Sequence, residues 1–218
     1  MLFILSGDVQ IGKTRWLESL TDELLSQSIP VAGVLSPGDW RENEPEGDGP
    51  VVGDDGIERY KLGINVRFLP QGTTIPFARW CGCSDSSAGC TQSRSAHLSW
   101  NINDQAIGRV NTFFDSLESS VTDDNCQDMT MTSTPEKQGL LVVDELGQLE
   151  LIRNGGYTSA MRMLEKGPSA RFPHALIVVR SWLLDSAREH FKVSWPDCCV
   201  IAPSDDARQT IKAYCGAK

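Results

Sequence analysis

Two separated groups of residues in this chain have the types and spacing to do chemistry. The first is Gly7, Asp8, Val9, Gln10, Ile11, Gly12, Lys13 and Thr14, a G-x-x-x-x-G-K-[ST] string. Its two glycines let the backbone curl so that successive N–H groups converge on one point, which makes a nest for an anion. A helix beginning at the end of the string adds free N–H groups and partial positive charge at the same point. The Lys13 ammonium is then expected to reach the β- and γ-phosphates of a nucleotide, and the Thr14 hydroxyl to ligate Mg²⁺. With Arg15, residues Gly7 to Arg15 form the expected nucleotide-binding set.

The second group is Asp144 and Glu145, which follow the apolar run Leu140 to Val143. An Asp at the carboxyl end of a buried strand holds Mg²⁺ directly or through water. Neighbours on a strand face opposite ways, so Glu145 is free to orient a water on a γ-phosphate. Arg180 follows another apolar run, Ala175 to Val179. A cation there faces the phosphates or the acidic pair, unless it serves a structural salt bridge or is simply solvated. Cys81, Cys83, Cys90 and His97 offer three thiols and an imidazole. They read either as a zinc site with uncommon C-x-C spacing or as a Ser/Gly-rich surface loop with incidental thiols.

These groups need a scaffold, and the apolar pattern supplies one. Strands are expected at Leu2–Leu5, Val31–Leu35, Leu140–Val143, Ala175–Val179 and Cys198–Ala202. Their unbroken apolar runs suit a parallel sheet covered on both faces. Helical periodicity predicts helices over Arg15–Gln27, Asn101–Glu118 and Tyr157–Lys166, one capped by Ser181 and running to Phe191, and one over Ser204–Cys215. Residues 36–56 are rich in Gly, Pro, Asp and Glu and cannot build a core segment. Short segments broken by Gly or Pro follow to Arg79, and residues 36–79 are expected to form a small antiparallel β insertion beside the main sheet, either lying over the nucleotide or a peripheral hairpin without catalytic consequence. A Cys-containing loop is expected over residues 80–100, and a flexible linker over 119–138.

The 218 residues suffice for one sizeable core, and the whole chain reads as a single domain. A net charge of −9 without a dense basic cluster argues against nucleic acid as a partner. No apolar stretch approaches membrane-spanning length, and no basic segment with a cleavage site precedes the first strand. The expectation is a cytoplasmic protein whose seven cysteines are free thiols rather than a disulfide framework.

Four stretches together resemble the thermostable-type nucleoside-triphosphatase family: Gly7–Thr14, Val31–Pro37, Val143–Leu151 and Val178–Arg180. The Asp144–Leu151 string, Asp-Glu-Leu-Gly-x-Leu-Glu-Leu, is the most specific of them. The resemblance implies a three-layer α/β fold of the P-loop NTPase, RecA-like type, with a mostly parallel central sheet. It implies Mg²⁺-dependent hydrolysis of ATP, GTP and other nucleoside triphosphates, with Lys13 and Thr14 at phosphate and metal and Asp144 and Glu145 as the acidic pair. Glu150 matches a family carboxylate, for which capping or a structural salt bridge is the expected role. After the second strand the best-known members of the family carry a Thr-x-Glu-Val-Arg stretch. This chain has Ser36, Pro37, Gly38, Asp39 and Trp40 instead, as in a divergent branch. Two other readings use the same phosphate chemistry: a nucleotide or small-molecule kinase, and a nucleotide switch stimulated by a protein partner.

Overall fold

The computed structural model describes residues 1–8, 11–42, 48–52, 56–80, 100–123 and 137–217. Strand β1 (Leu2–Gly7) leads through the glycine-rich loop into helix α1 (Lys13–Ser26) and strand β2 (Val31–Leu35). Strands β3 (Gly38–Glu42), β4 (Asp48–Val52), β5 (Glu58–Leu69), β6 (Thr74–Trp80) and β7 (Trp100–Ile102) follow. Helix α2 (Asp104–Asp123) returns the chain to β8 (Leu140–Leu146) and the single turn α3 (Gln148–Leu151). The chain ends with α4 (Thr158–Glu165), β9 (His174–Arg180), α5 (Leu184–Phe191), β10 (Cys198–Ile201) and α6 (Asp205–Cys215).

Among the described residues these strands form one sheet in the order β10-β1-β9-β8-β2-β5-β6-β7, with β3 and β4 also paired to β5. The pairs β1–β10, β1–β9, β8–β9 and β2–β8 are parallel. From β5 outward the sheet is antiparallel. The pleat of β1 divides its side chains between two cores. Leu2 and Ile4 pack with Val110 and Phe114 of α2, Ala160 and Leu164 of α4, and Ala187 and Phe191 of α5. Phe3 and Leu5 pack with Leu17, Leu20 and Leu24 of α1 and Ile211 and Cys215 of α6. The result is a three-layer α/β protein with helices on both faces of a sheet whose core strands are parallel, as the apolar runs require.

The structure departs from the sequence expectations in its connecting regions. The β insertion does not lie beside the main sheet. Its longest strand, β5, pairs directly with β2, so the insertion is a wing of the same sheet. Nor is β5 broken at Gly63, because there it is paired with Asp39 of β3 on one side and with Arg79 of β6 on the other. Two-sided pairing outweighs the weak strand preference of one glycine. Helix α2 starts after strand β7, and of the two asparagines expected as its cap, Asn101 and Asn103, the second serves: its carboxamide accepts the Gln105 N–H at 2.9 Å. It also runs on to Asp123, so the first residues of the expected 119–138 linker are helical. Residues 124–136 of that segment lie outside the described residues. Ser181 does not cap the helix that follows it: it begins a 3₁₀ turn, Ser181–Leu183, and Leu183 takes the cap position without a side-chain bond. Ser204 does cap α6, accepting the Ala207 N–H at 3.1 Å.

Cys81, Cys83, Cys90 and His97 fall outside the described residues. Among the described residues no group of three His, Cys, Asp or Glu could hold a metal, and no helix is long and apolar enough to cross a membrane. Cys198, Cys199 and Cys215 are free thiols.

Candidate functional site

The sheet order decides what can meet. Strand β9 lies between β1 and β8. The carboxyl end of β1 carries the glycine-rich loop, that of β9 carries Arg180, and that of β8 carries Asp144 and Glu145. All three point toward the same edge of the parallel sheet, where α/β proteins bind ligands.

On the loop side, Gly12 has φ 84° and ψ 17° at the start of α1, a left-handed conformation that favours glycine. No side chain caps this helix end. Its free N–H groups therefore remain for a ligand. The Lys13 ammonium folds back over the loop and donates to the carbonyls of Gly7 at 2.8 Å and Asp8 at 2.6 Å. Burial holds the ammonium below its ordinary pKa; Glu145 opposes this, and Arg180 adds to it. Lys13 is thus within the electrostatic reach of both the acidic pair and the arginine. Val9 and Gln10 of the expected nucleotide-binding set lie outside the described residues.

The acidic pair sits on an irregularity that the strand pattern did not announce. In the β8–β9 pairing, Val143 is opposite Ile177 but Leu146 is opposite Val179, so β8 carries one extra residue at Asp144–Glu145. Glu145 has φ +65°, the left-handed region that a non-glycine residue rarely adopts. A bulge of this kind re-aims a side chain. Asp144 stays fully buried, while the Glu145 carboxylate emerges into the cleft, 3.7 Å from the Arg180 guanidinium.

Asp144 is held from β2. Its Oδ2 accepts the Ser36 N–H at 2.9 Å, and the Ser36 hydroxyl donates to its backbone carbonyl at 3.1 Å. Sequence reasoning did not single out Ser36 as a partner of Asp144. Burial, reinforced by the charge of Glu145, pushes the Asp144 carboxyl up to about 7. The Ser36 N–H, the Thr14 hydroxyl and the more distant Lys61 pull the other way. The Thr14 hydroxyl is close enough to favour the ionised carboxylate, yet Asp144 Oδ1 has no partner at hydrogen-bond distance among the described residues. A buried, unpartnered carboxylate oxygen beside a hydroxyl fits a hard divalent cation with oxygen ligands.

Glu150 has the capping role expected of it. Its carboxylate accepts the Gly147 N–H at 2.9 Å, at the start of α3, and the Tyr157 N–H at 3.2 Å. It thereby fixes the loop that follows the acidic pair. Glu150→Ala leaves both amides without that acceptor and is expected to lower stability by about 2 kcal/mol. Glu150→Gln, which keeps one acceptor oxygen, should cost less. Urea denaturation of the two variants tests the order.

A cavity of about 490 Å³ joins these groups. Gly12, Lys13, Thr14, Arg15, Glu145 and Arg180 all line it, so the end of the loop, one of the two acidic residues and the arginine singled out from sequence meet in one space. Its far wall is formed by the antiparallel wing, through Trp40, Lys61, Ile64, Phe77, Trp100 and Ile102.

This arrangement of strand, glycine-rich loop and helix, with acidic residues two strands away, is the fold of the P-loop nucleoside-triphosphatases. Two solved structures match along almost the whole chain. The crystal structure of THEP1 from the hyperthermophile Aquifex aeolicus has a TM-score of 0.60 and 13% identity, covering 99% of each chain. The solution structure of a human cancer-related nucleoside triphosphatase has a TM-score of 0.55 and 15% identity, covering 100% of this chain and 98% of that one. The resemblance read from the motifs therefore holds at the level of fold, at identities consistent with a divergent branch. No protein-family model matches the sequence, and no curated protein does.

Proposed function

We propose that this protein is a Mg²⁺-dependent nucleoside triphosphatase, converting nucleoside triphosphates to diphosphate and phosphate. The observation that carries this reading is the convergence of Gly12, Lys13, Thr14, Glu145 and Arg180 on one cavity, with an unpartnered oxygen of the buried Asp144 beside Thr14. The nucleoside triphosphatase among the structural neighbours supports the same class of substrate.

The phosphates are bound by the free N–H groups at the start of α1 and by Lys13, which exchanges two loop carbonyls for phosphate oxygens. Mg²⁺ held by the Thr14 hydroxyl and the Asp144 carboxylate would neutralise charge on the β- and γ-oxygens. Glu145 orients a water toward the γ-phosphorus and accepts its proton. The water oxygen forms the new bond to phosphorus as the bond to the bridging oxygen breaks, and the diphosphate leaves. Arg180 is already paired with Glu145, and it swings between that carboxylate and the γ-phosphate to stabilise the developing charge.

Phosphate release from ATP, GTP, CTP and UTP with Mg²⁺ tests the reading and gives the base range. Lys13→Ala is expected to lower both release and nucleotide affinity by at least about tenfold, since it removes a charged hydrogen-bonding partner of the phosphates. No release by a folded wild type that binds nucleotide would overturn the hydrolase.

A further inference from the structure

The cavity is larger than its phosphate end requires, and its two ends differ in chemistry. One end is cationic and polar: Lys13, Thr14, Glu145 and Arg180. The other is aromatic and apolar with a single cation: Trp40, Lys61, Ile64, Phe77, Trp100 and Ile102. Strand β8, which carries Glu145, is two steps from β5, so at about 4.8 Å per step their axes are roughly 10 Å apart.

The far end is built rather than left over. The Lys61 ammonium lies over the ring of Trp100 at 5.4 Å and within 6.0 Å of the ring centre of Trp40. Trp100 is itself braced edge-on by Trp80 at 5.2 Å. Gly38 makes room for the arrangement: a Cβ there would lie 2.4 Å from the Trp40 indole nitrogen and 3.0 Å from Cε of Lys61. Among the described residues Lys61 forms no ion pair or hydrogen bond. Its charge nevertheless reaches Asp144 across the cavity. An ammonium set between indoles and lining a cavity is a ready anion receptor.

The direction of the reaction separates this end from the nucleotide. In-line attack puts the water between Glu145 and the γ-phosphorus, with the β-phosphate on the opposite side. The α-phosphate, ribose and base follow the β-phosphate and so lead away from Glu145. The wing residues stand beyond Glu145, on the side of β2 and β5. They are therefore left for something else.

We propose that this aromatic end is a binding compartment for a second molecule, planar and anionic, held beside the nucleotide with its ring against Trp40, Phe77 and Trp100 and its negative group on Lys61. The placement beyond the γ-phosphate rests on the hydrolase reading; the affinity for a planar anion does not.

The probe is 8-anilinonaphthalene-1-sulfonate, an aromatic ring system with one fixed negative charge, added to the full chain with saturating Mg²⁺ and ADP. Saturable fluorescence with one probe per chain is expected, unchanged by the nucleotide. Lys61→Gln should weaken probe binding by about tenfold or more, and Lys61→Arg should restore most of it. Val193→Ser, at an apolar side chain 83% exposed and remote from the cavity, should leave it unaltered and so controls for surface adsorption. In the hydrolysis assay the probe should lower the maximal rate without raising the triphosphate concentration needed for half of it. Displacement of the probe by ADP would make the compartment part of the nucleotide site and overturn the proposal. Equal binding by wild type and Lys61→Gln would overturn it too. A protein that binds the probe beside ADP but releases no phosphate would sink the hydrolase and leave the compartment standing.

Discussion

Glu145→Gln is expected to lower phosphate release by about 10²–10⁴-fold, the range that a positioned general base supplies, while nucleotide affinity stays within a few-fold of wild type. The substitution keeps the size of the side chain and removes its ability to take a proton. It also keeps the bulge, because Gln meets the same backbone demands at φ +65°. The ion pair with Arg180 is lost, but both partners are well exposed, so the fold should lose little stability with it. Single-turnover phosphate release, set against binding of a fluorescent nucleotide, separates the two effects. A variant that releases phosphate at the wild-type rate would remove Glu145 from the chemistry. A variant that loses binding and rate together would mean that Glu145 shapes the loop instead. Addition of Arg180→Ala to Glu145→Gln should cost less than it costs in the wild type if the two side chains act as a unit.

The parts of this site that could be read from sequence were those encoded in local pattern. Buried parallel strands leave unbroken apolar runs, so the strands carrying the loop, the acidic pair and Arg180 were all legible. The glycine-rich loop was legible because its residue types answer to one backbone requirement. The bulge at Asp144–Glu145 was not, because Glu gives no sign that it will adopt a left-handed conformation. Strict alternation along β8 separates the two carboxylates correctly, but for an incomplete reason. Ser36 was hidden because its role is long-range: it meets Asp144 only through the pairing of β2 with β8, 108 residues apart in sequence. Lys61 and Trp100 were hidden for the same reason. Each is unremarkable in its own segment, and the antiparallel wing alone brings them to one cavity. The break expected at Gly63 shows the opposite error, in which local preference was weighed without the hydrogen bonds that strands on both sides supply.

Asp144→Asn should abolish Mg²⁺-dependent hydrolysis and at the same time make the metal-free protein more stable. The carboxyl is fully buried, and its folded pKa stands at about 7 against an ordinary value of 3.8. Between those values the unfolded chain has released this proton and the folded chain still holds it. Folded protein binds more protons than unfolded in that window, so this group makes stability fall as pH rises from about 4 to about 7. Above the folded pKa the penalty is complete, on the order of 4 kcal/mol for a shift of that size. Asn cannot ionise and escapes it. The carboxamide oxygen can still accept the Ser36 N–H, and its NH₂ group can donate to the Thr14 hydroxyl. In EDTA at pH 8 the variant should therefore melt roughly 10 °C above wild type, with the gap closing toward pH 4. Glu150, also raised by burial, contributes with the same sign but is present in both proteins and cancels in the difference. Saturating Mg²⁺ should then raise the melting temperature of wild type alone, because the ion repairs the cost of the buried charge that Asn no longer carries. A variant that melts below wild type in EDTA at pH 8 would show that the Asp144 carboxylate is already satisfied without a cation, and the case for a Thr14–Asp144 metal site would fall with it.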